Sequence, residues 1–296
     1  MGAEQRPPAP EAEQPRSEFY QTLENRWSKG LFVCVGLDSE FAKIPDFLKK
    51  GSVVQNIFNF NTRIIDATHD LALAYKPNSA FYEEMGVDGI QALILTADYA
   101  KRKYPEIPII LDAKRADIGN TNNGYAKFAF DIVGADAITV HPYLGKEALK
   151  PFLNRKDKGV IVLCRTSNPG AGEFQDLIVD DCSYGDTPLF GMVAANVFRD
   201  WNEHGNVGLV VGATYPEELE KVRKTVGDMP ILIPGVGAQG GDLEKAVRNG
   251  KDSNNQGMII NSSRGIIFAS GGEDFAAAAR RETQKLTNEI NTHRLA

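Results

Sequence analysis

Three charged residues at fixed spacing, Asp112, Lys114 and Asp117, offer the most chemistry in this chain. They follow an apolar run, Ile107 to Leu111, that reads as a buried strand. Positions i and i+2 of a strand share a face, so Asp112 and Lys114 are expected to point the same way, with Asp117 in the turn beyond. Two carboxylates converging on one ammonium are costly to desolvate and must be compensated. A solvated ion-pair cluster is the plain reading of such a group. Its position favours a site, because charges emerging at the C-terminal end of a buried strand usually face one.

Eight apolar runs recur along the chain, at 31–38, 71–78, 108–114, 137–143, 159–167, 207–213, 231–237 and 257–264. Each ends in Gly, Pro or polar residues. Helical patterns occupy 54–68, 89–103, 123–133, 189–203, 216–226, 242–249 and 275–290. Strands alternating with helices imply parallel βαβ units. Eight units in about 265 residues match a single (β/α)8 TIM barrel. A doubly wound open sheet is the alternative, but Gly36-Leu37-Asp38 after the first strand is not the Gly-rich turn that such a fold carries there. Residues 1–17, rich in Pro, Glu, Ala and Gln, read as a disordered tail, and 18–296 as the barrel domain.

In a barrel the strand ends form the site. In order they present Asp38, then Lys76 and Asn78, Asp112 and Lys114, His141, Thr166 and Ser167, Gly235 to Gln239, and Ser262 to Gly265. Loops after the seventh and eighth strands are the usual phosphate cradle of this fold, since backbone N–H groups there suit an anion. Arg264 adds a bidentate partner. The residues alone thus point to a phosphorylated small substrate, with chemistry at Asp112, Lys114 and Asp117. Asp38 could instead cap a helix, Arg264 could pair with an acid, and Thr166, Ser167 and Gln239 could be plain loop residues. His141 reads as structural and Asn123 as a helix cap. Segment 169–188 is either a lid over the substrate or an inert insertion.

Composition narrows the classes. A net charge of −6 argues against nucleic acid as the main partner, while leaving room for a small anion bound by local cations. No apolar stretch approaches a membrane span, and the N-terminus lacks the apolar core of a secretory signal. Three cysteines build no disulfide framework: Cys34 and Cys164 lie in apolar runs, Cys182 in a polar loop. A cytoplasmic setting follows as the expectation. The four histidines and the scattered carboxylates show no metal-ligand spacing, so no metal site is expected.

The run Asp112-x-Lys114-x-x-Asp117-Ile118-Gly119-Asn120-Thr121 closely resembles the active-site segment of the orotidine 5'-phosphate decarboxylase family. Gly36-Leu37-Asp38, Lys76-Pro77-Asn78, Arg165-Thr166-Ser167-Asn168-Pro169 and Pro234-Gly235-Val236-Gly237-Ala238-Gln239 extend the resemblance over roughly 30–270. The chain looks like the longer, monofunctional branch. The Asp-x-Lys-x-x-Asp core is shared with metal-dependent keto-sugar-phosphate decarboxylases and hexulose-phosphate synthases. One departure is Ser263-Arg264-Gly265, where many members carry Gly-Arg-Gly.

The resemblance implies cofactor-free decarboxylation of orotidine 5'-monophosphate to uridine 5'-monophosphate in pyrimidine biosynthesis. Lys114 would stabilise and then protonate a carbanion at C6, held charged by Asp112 and Asp117. Asp38 and Lys76 would contact ribose hydroxyls, supported by Asn78. Ile118 would pack near the pyrimidine, and Ser167, with Thr166 beside it, would bond its amide edge. Gln239 and Arg264 would take the phosphate with backbone N–H groups of Gly237, Ser263 and Gly265. The family's dimers imply a homodimer in which Asp117 and Thr121 reach the neighbouring site. A non-catalytic nucleotide-binding barrel is the alternative from another class.

Overall fold

A computed structural model describes residues 16–181, 185–236 and 240–296. Eight parallel strands form its centre: β1 (Val33–Gly36), β2 (Ala72–Lys76), β3 (Ile110–Arg115), β4 (Ala137–Val140), β5 (Gly159–Arg165), β6 (Val207–Val211), β7 (Ile231–Pro234) and β8 (Met258–Ser262). They are hydrogen-bonded in the order β2-β1-β8-β7-β6-β5-β4-β3. Bridges between Tyr75 and Ile109 and between Asn78 and Asp112 bring β2 against β3, so the sheet nearly closes into the expected barrel.

These strands are apolar along most of their length because both faces are covered, by side chains inside the barrel and by helices outside. Val53–Thr68 begins with a capping box between Ser52 and Gln55. Gly86–Lys103 and Pro216–Val226 follow in the outer ring, and Phe275–Leu295 closes it. Phe60 stacks between Phe268 and Phe275, with ring centroids 5.5 and 5.3 Å away. Besides short four-residue turns of helix, two longer helices not named from the pattern are present, Glu18–Trp27 and Gly145–Leu153. Trp27 of the first donates its indole N–H to the Met258 carbonyl at 2.8 Å, fixing that helix to the start of β8.

Ser17 caps the first helix through Tyr20 N–H, and Arg16 pairs with Asp228. Both residues were expected in the tail; side-chain bonds tie them to the barrel instead. The helix expected from residue 123 starts at Gly119 and runs to Ala126, continuing as a π-helical turn to Ile132. Asn123 therefore lies inside that helix and does not cap it. Segment 169–188 contains a short helix, Gly172–Gln175, and an antiparallel pair, Ile178–Asp181 with Gly185–Pro188. Cys182 lies outside the described residues. Cys34 and Cys164 are buried free thiols whose burial pushes them up to about 12, so neither is poised as a nucleophile.

Candidate active site

A cavity of about 670 Å³ opens where the strands end, lined by residues from seven of the eight strands or the turns just beyond them. Its floor is a chain of charges. Lys76, the last residue of β2 and only 3% exposed, donates to Asp112 Oδ2 at 2.9 Å. Lys114 donates to Asp112 Oδ1 at 2.6 Å. Asn78 Nδ2 reaches Oδ2 at 3.3 Å, and the Thr139 hydroxyl reaches Oδ1 at 2.8 Å. Both oxygens of the buried carboxylate are thus filled by donors.

Burial alone would raise the Asp112 carboxyl, but the Lys76 and Lys114 ammonium groups hold it well below the usual carboxylate range. Burial likewise opposes charge on Lys76; Asp112 and then Asp38 overcome it and raise that ammonium. Asp112 is therefore an anion and Lys76 a cation at neutral pH.

The expectation that Asp112 and Lys114 face one way is met, but by a different route from regular alternation. Between the pairs Leu111–Ile138 and Arg115–Val140 the register slips, so three residues of β3 lie opposite Thr139 alone. Lys114 sits in this bulge at φ 47°, a left-handed conformation that costs a non-glycine residue about 1–2 kcal/mol. Side chains serve the bulge backbone. Lys114 N–H donates to the Thr139 hydroxyl at 2.9 Å, and Arg115 donates to the Ala113 carbonyl at 3.1 Å.

Asp38 follows β1, with Oδ1 buried, without a hydrogen-bond partner, and 3.9 Å from Lys76 Nζ. It caps no helix; the turn Phe41–Lys43 has Glu40 at its cap position. An orphaned carboxylate oxygen lining a cavity is expected to take a hydroxyl or water from the ligand side. Across the cavity, Thr166 N–H donates to Gln175 Oε1 at 2.8 Å, and its hydroxyl donates to Asn168 Oδ1 at 2.6 Å. Arg165 pairs with Asp176 at 2.8 Å. The first limb of segment 169–188 is therefore bonded to the cavity wall. Ser167 also lines the cavity.

After β8, Arg264 lines the cavity with an exposed guanidinium that has no carboxylate partner among the described residues. Ser263 has φ −113°, so the position demands no glycine. Asn261 Nδ2 donates to the Ser263 hydroxyl at 3.3 Å, and Gly36 accommodates that side chain: a Cβ on Gly36 would lie 1.8 Å from Ser263 Oγ. Gly265 is exposed and does not line the cavity; Gly237 and Gln239 lie outside the described residues.

Asp117, Ile118 and Thr121 do not line the cavity of their own chain. Asp117 accepts from its neighbour Ile118 N–H at 2.6 Å and makes no ion pair with Lys114. The reason is the turn itself. Buried Asn122 accepts from Asp117 N–H at 2.9 Å and donates to the Asp117 carbonyl at 2.7 Å, turning the segment away from the cavity. Thr139, Asn122 and Gln175 were not foreseen. Asn122 alone left a trace in the sequence, as an amide near the start of a helix.

The comparisons with known proteins agree with this geometry. A model of the family described as "Orotidine 5'-phosphate decarboxylase / HUMPS family" matches residues 32–281. An orotidine 5'-phosphate decarboxylase of Cellvibrio japonicus is 47% identical over 277 residues, 93% of this chain and 99% of that protein. One from Ralstonia pickettii is 47% identical over 278 residues, again 93% and 99%. Among solved structures, Leishmania donovani OMP decarboxylase superposes with a TM-score of 0.78 at 39% identity, covering 94% of this chain and 99% of that one. Leishmania donovani UMP synthase gives 0.81 at 40% identity; 95% of this chain is covered, but it spans only 57% of that longer one. The chain belongs to the orotidine 5'-phosphate decarboxylase / HUMPS family.

Proposed function

We propose that the cavity binds orotidine 5'-monophosphate and that the chain converts it to uridine 5'-monophosphate and CO2, a step of de novo pyrimidine biosynthesis in the cytoplasm. The observation that carries this reading is the Lys76–Asp112–Lys114 array at the cavity floor. The bond from C6 to the carboxylate breaks and leaves its electron pair on C6. With no cofactor to delocalise that pair, a fixed ammonium beside C6 is the available stabiliser, and such preorganised charge commonly lowers a barrier more than any other effect. Lys114 fills this role and then gives C6 a proton, which solvent restores to the amine. Asp112 aims the Lys114 ammonium through their direct bond.

The remaining assignments follow the position of each group. Asp38, with its orphaned oxygen, and Lys76 take ribose hydroxyls, with Asn78 in support. Ser167 and Thr166 take the pyrimidine edge. The exposed Arg264 guanidinium takes the phosphate, with the backbone N–H group of Ser263. Phosphate binding far from C6 supplies energy that is realised in the transition state.

Asp117, Ile118 and Thr121 serve a second copy of the chain. Ile118 is 60% exposed, Tyr143 85% and Leu144 42%, and all three lie in segments following β3 and β4. Apolar side chains left exposed around a site suit a covered interface. A homodimer through this face would bring Asp117 to the partner's Lys114.

The test is spectrophotometric: loss of orotidine 5'-monophosphate absorbance on adding the protein, before and after exhaustive chelation. The expected result is turnover that chelation leaves unchanged, because every oxygen of Asp112 is already engaged by a nitrogen or hydroxyl donor. Turnover lost to the chelator and restored by a divalent cation would favour the sugar-phosphate members of the family. Nucleotide binding without turnover would favour a non-catalytic barrel.

A further inference from the structure

Thr139 is a fully buried polar residue inside the barrel, on the strand next to β3. Its single hydroxyl does two things at once. It accepts the Lys114 N–H at 2.9 Å and donates to Asp112 Oδ1 at 2.8 Å. A hydroxyl has one proton and two lone pairs, so the direction of each bond is settled: an N–H can only donate and an ionised carboxylate can only accept.

The bulge explains why such a group is needed. Asp112 N–H bonds the Pro77 carbonyl beyond β2, and regular alternation would point the Lys114 N–H to that same side. The bulge between Leu111 and Arg115, with Lys114 at φ 47°, turns the N–H towards β4 instead, where it meets the Thr139 side chain and no backbone carbonyl. A buried N–H left without a partner is rare, and left-handed residues persist only where their surroundings hold them. The Thr139 hydroxyl supplies the missing acceptor. Through the same oxygen it fixes the carboxylate to which the Lys114 ammonium is bonded. The two ends of Lys114, its backbone N–H and its Nζ, are therefore tied together through Thr139 and Asp112 in a closed ring of contacts.

We infer that Thr139 is a positioning residue for the decarboxylation: it holds the strained Lys114 backbone and the Asp112 carboxylate in one geometry, and so places Nζ without touching substrate. The inference rests on the function proposed above. Thr139→Val removes the hydroxyl and keeps the shape. Thr139→Ser keeps the hydroxyl. Each variant's kcat is expressed per binding-competent site, counted by titration with uridine 5'-monophosphate, and thermal unfolding is followed alongside.

The expected result is a kcat about 10- to 100-fold lower for Thr139→Val, the scale of loss that misplacing a reacting group by about 1 Å brings. The KM and the product affinity should stay within about twofold, and Thr139→Ser should recover most of the kcat. A residue serving stability alone would lower the unfolding temperature without moving kcat per competent site. If Thr139→Val does not fold, Thr139→Ala removes the same hydroxyl from a smaller side chain. An active parent whose hydroxyl-free variants keep kcat within twofold, or a Thr139→Ser variant as impaired as Thr139→Val, overturns the role of Thr139 alone. A parent that does not decarboxylate orotidine 5'-monophosphate overturns the functional reading and this role with it.

Discussion

Lys114 brings its ammonium to 2.6 Å from Asp112 Oδ1 while its own backbone stands at φ 47°, so among the described residues the shortest ion pair in the cavity is made by the one lining residue with a left-handed backbone outside glycine. Strain at a reacting group is worth its cost only where the position it creates is used. Regular alternation would have aimed both side chains inward at fixed separation. The bulge instead lets the ammonium stand over the carboxylate and reach the cavity, where nearly half of the Lys114 side chain is exposed.

Lys114→Ala is expected to abolish decarboxylation while leaving uridine 5'-monophosphate affinity nearly intact. Its charge is needed where carbanion charge develops, whereas the proposed phosphate and ribose contacts lie at Arg264, Asp38 and Lys76. Kinetics and product titration on the same preparation decide it. Retention of even a tenth of normal turnover, about 1.4 kcal/mol in barrier, would remove Lys114 from the central role.

Asp112 should show itself in the acid limb of stability. Its folded carboxyl lies below the unfolded value of about 3.9, so its contribution is complete above that value and is lost as pH falls towards the depressed folded one. Lys76, raised in the folded state, contributes fully below its unfolded value of about 10.4 and loses that contribution only at higher pH. Unfolding midpoints of the parent and of Asp112→Asn are therefore expected to differ by a constant amount between about pH 7 and 5, with the parent more stable. Below about pH 4 the gap should narrow, because the unfolded parent takes up the proton first. A gap already closing near pH 6 would show that the carboxylate is not held low.

The barrel was legible in the sequence because strands buried on both faces are continuous apolar runs. β5 and β6 begin on the residues expected, 159 and 207, and helix Pro216–Val226 agrees at both ends. The polar strand ends, Asp38, Lys76, Asn78, Asp112 and Lys114, were legible for the same reason, since the turn signals after each run mark where a side chain leaves the core. Thr139 was hidden because a threonine inside a strand is ordinary; only the register slip opposite it makes its hydroxyl necessary. The direction of the 117–121 segment was hidden as well. It depends on Asn122, fully buried, which bonds Asp117 and also donates to the Ala148 carbonyl, 26 positions away in sequence.

Arg264→Ala should weaken nucleotide binding and lower turnover together, because remote binding energy supports the chemistry. The guanidinium has no ion pair among the described residues to lose, so the fold should be unaffected, to within the roughly ±0.5 kcal/mol usual for surface substitutions. The parent nucleoside, which lacks the phosphate, separates the effects. It should be a poor substrate for both proteins, with little further loss in the variant. Equal losses for the phosphorylated and unphosphorylated substrates would place the phosphate elsewhere.

The interface proposal is tested by subunit mixing. If Asp117 acts across a two-fold interface, each site combines Lys114 of one chain with Asp117 of the other, and both sites have this composition. Dimers of Lys114→Ala alone and of Asp117→Ala alone should be nearly inactive. After equal mixing and exchange, about half of the dimers are mixed by random pairing. In a mixed dimer one site collects both defects and the other collects neither. One good site in each of half the dimers amounts to roughly a quarter of parental activity by the same counting. Asp117 makes no ion pair with its own chain's Lys114, so recovery is the expected outcome. Exchange is verified by native mass measurement on subunits of distinguishable mass. Verified exchange with activity still at the level of the parent variants would mean that Asp117 serves its own chain, and that the 117–121 segment must swing inward when substrate binds.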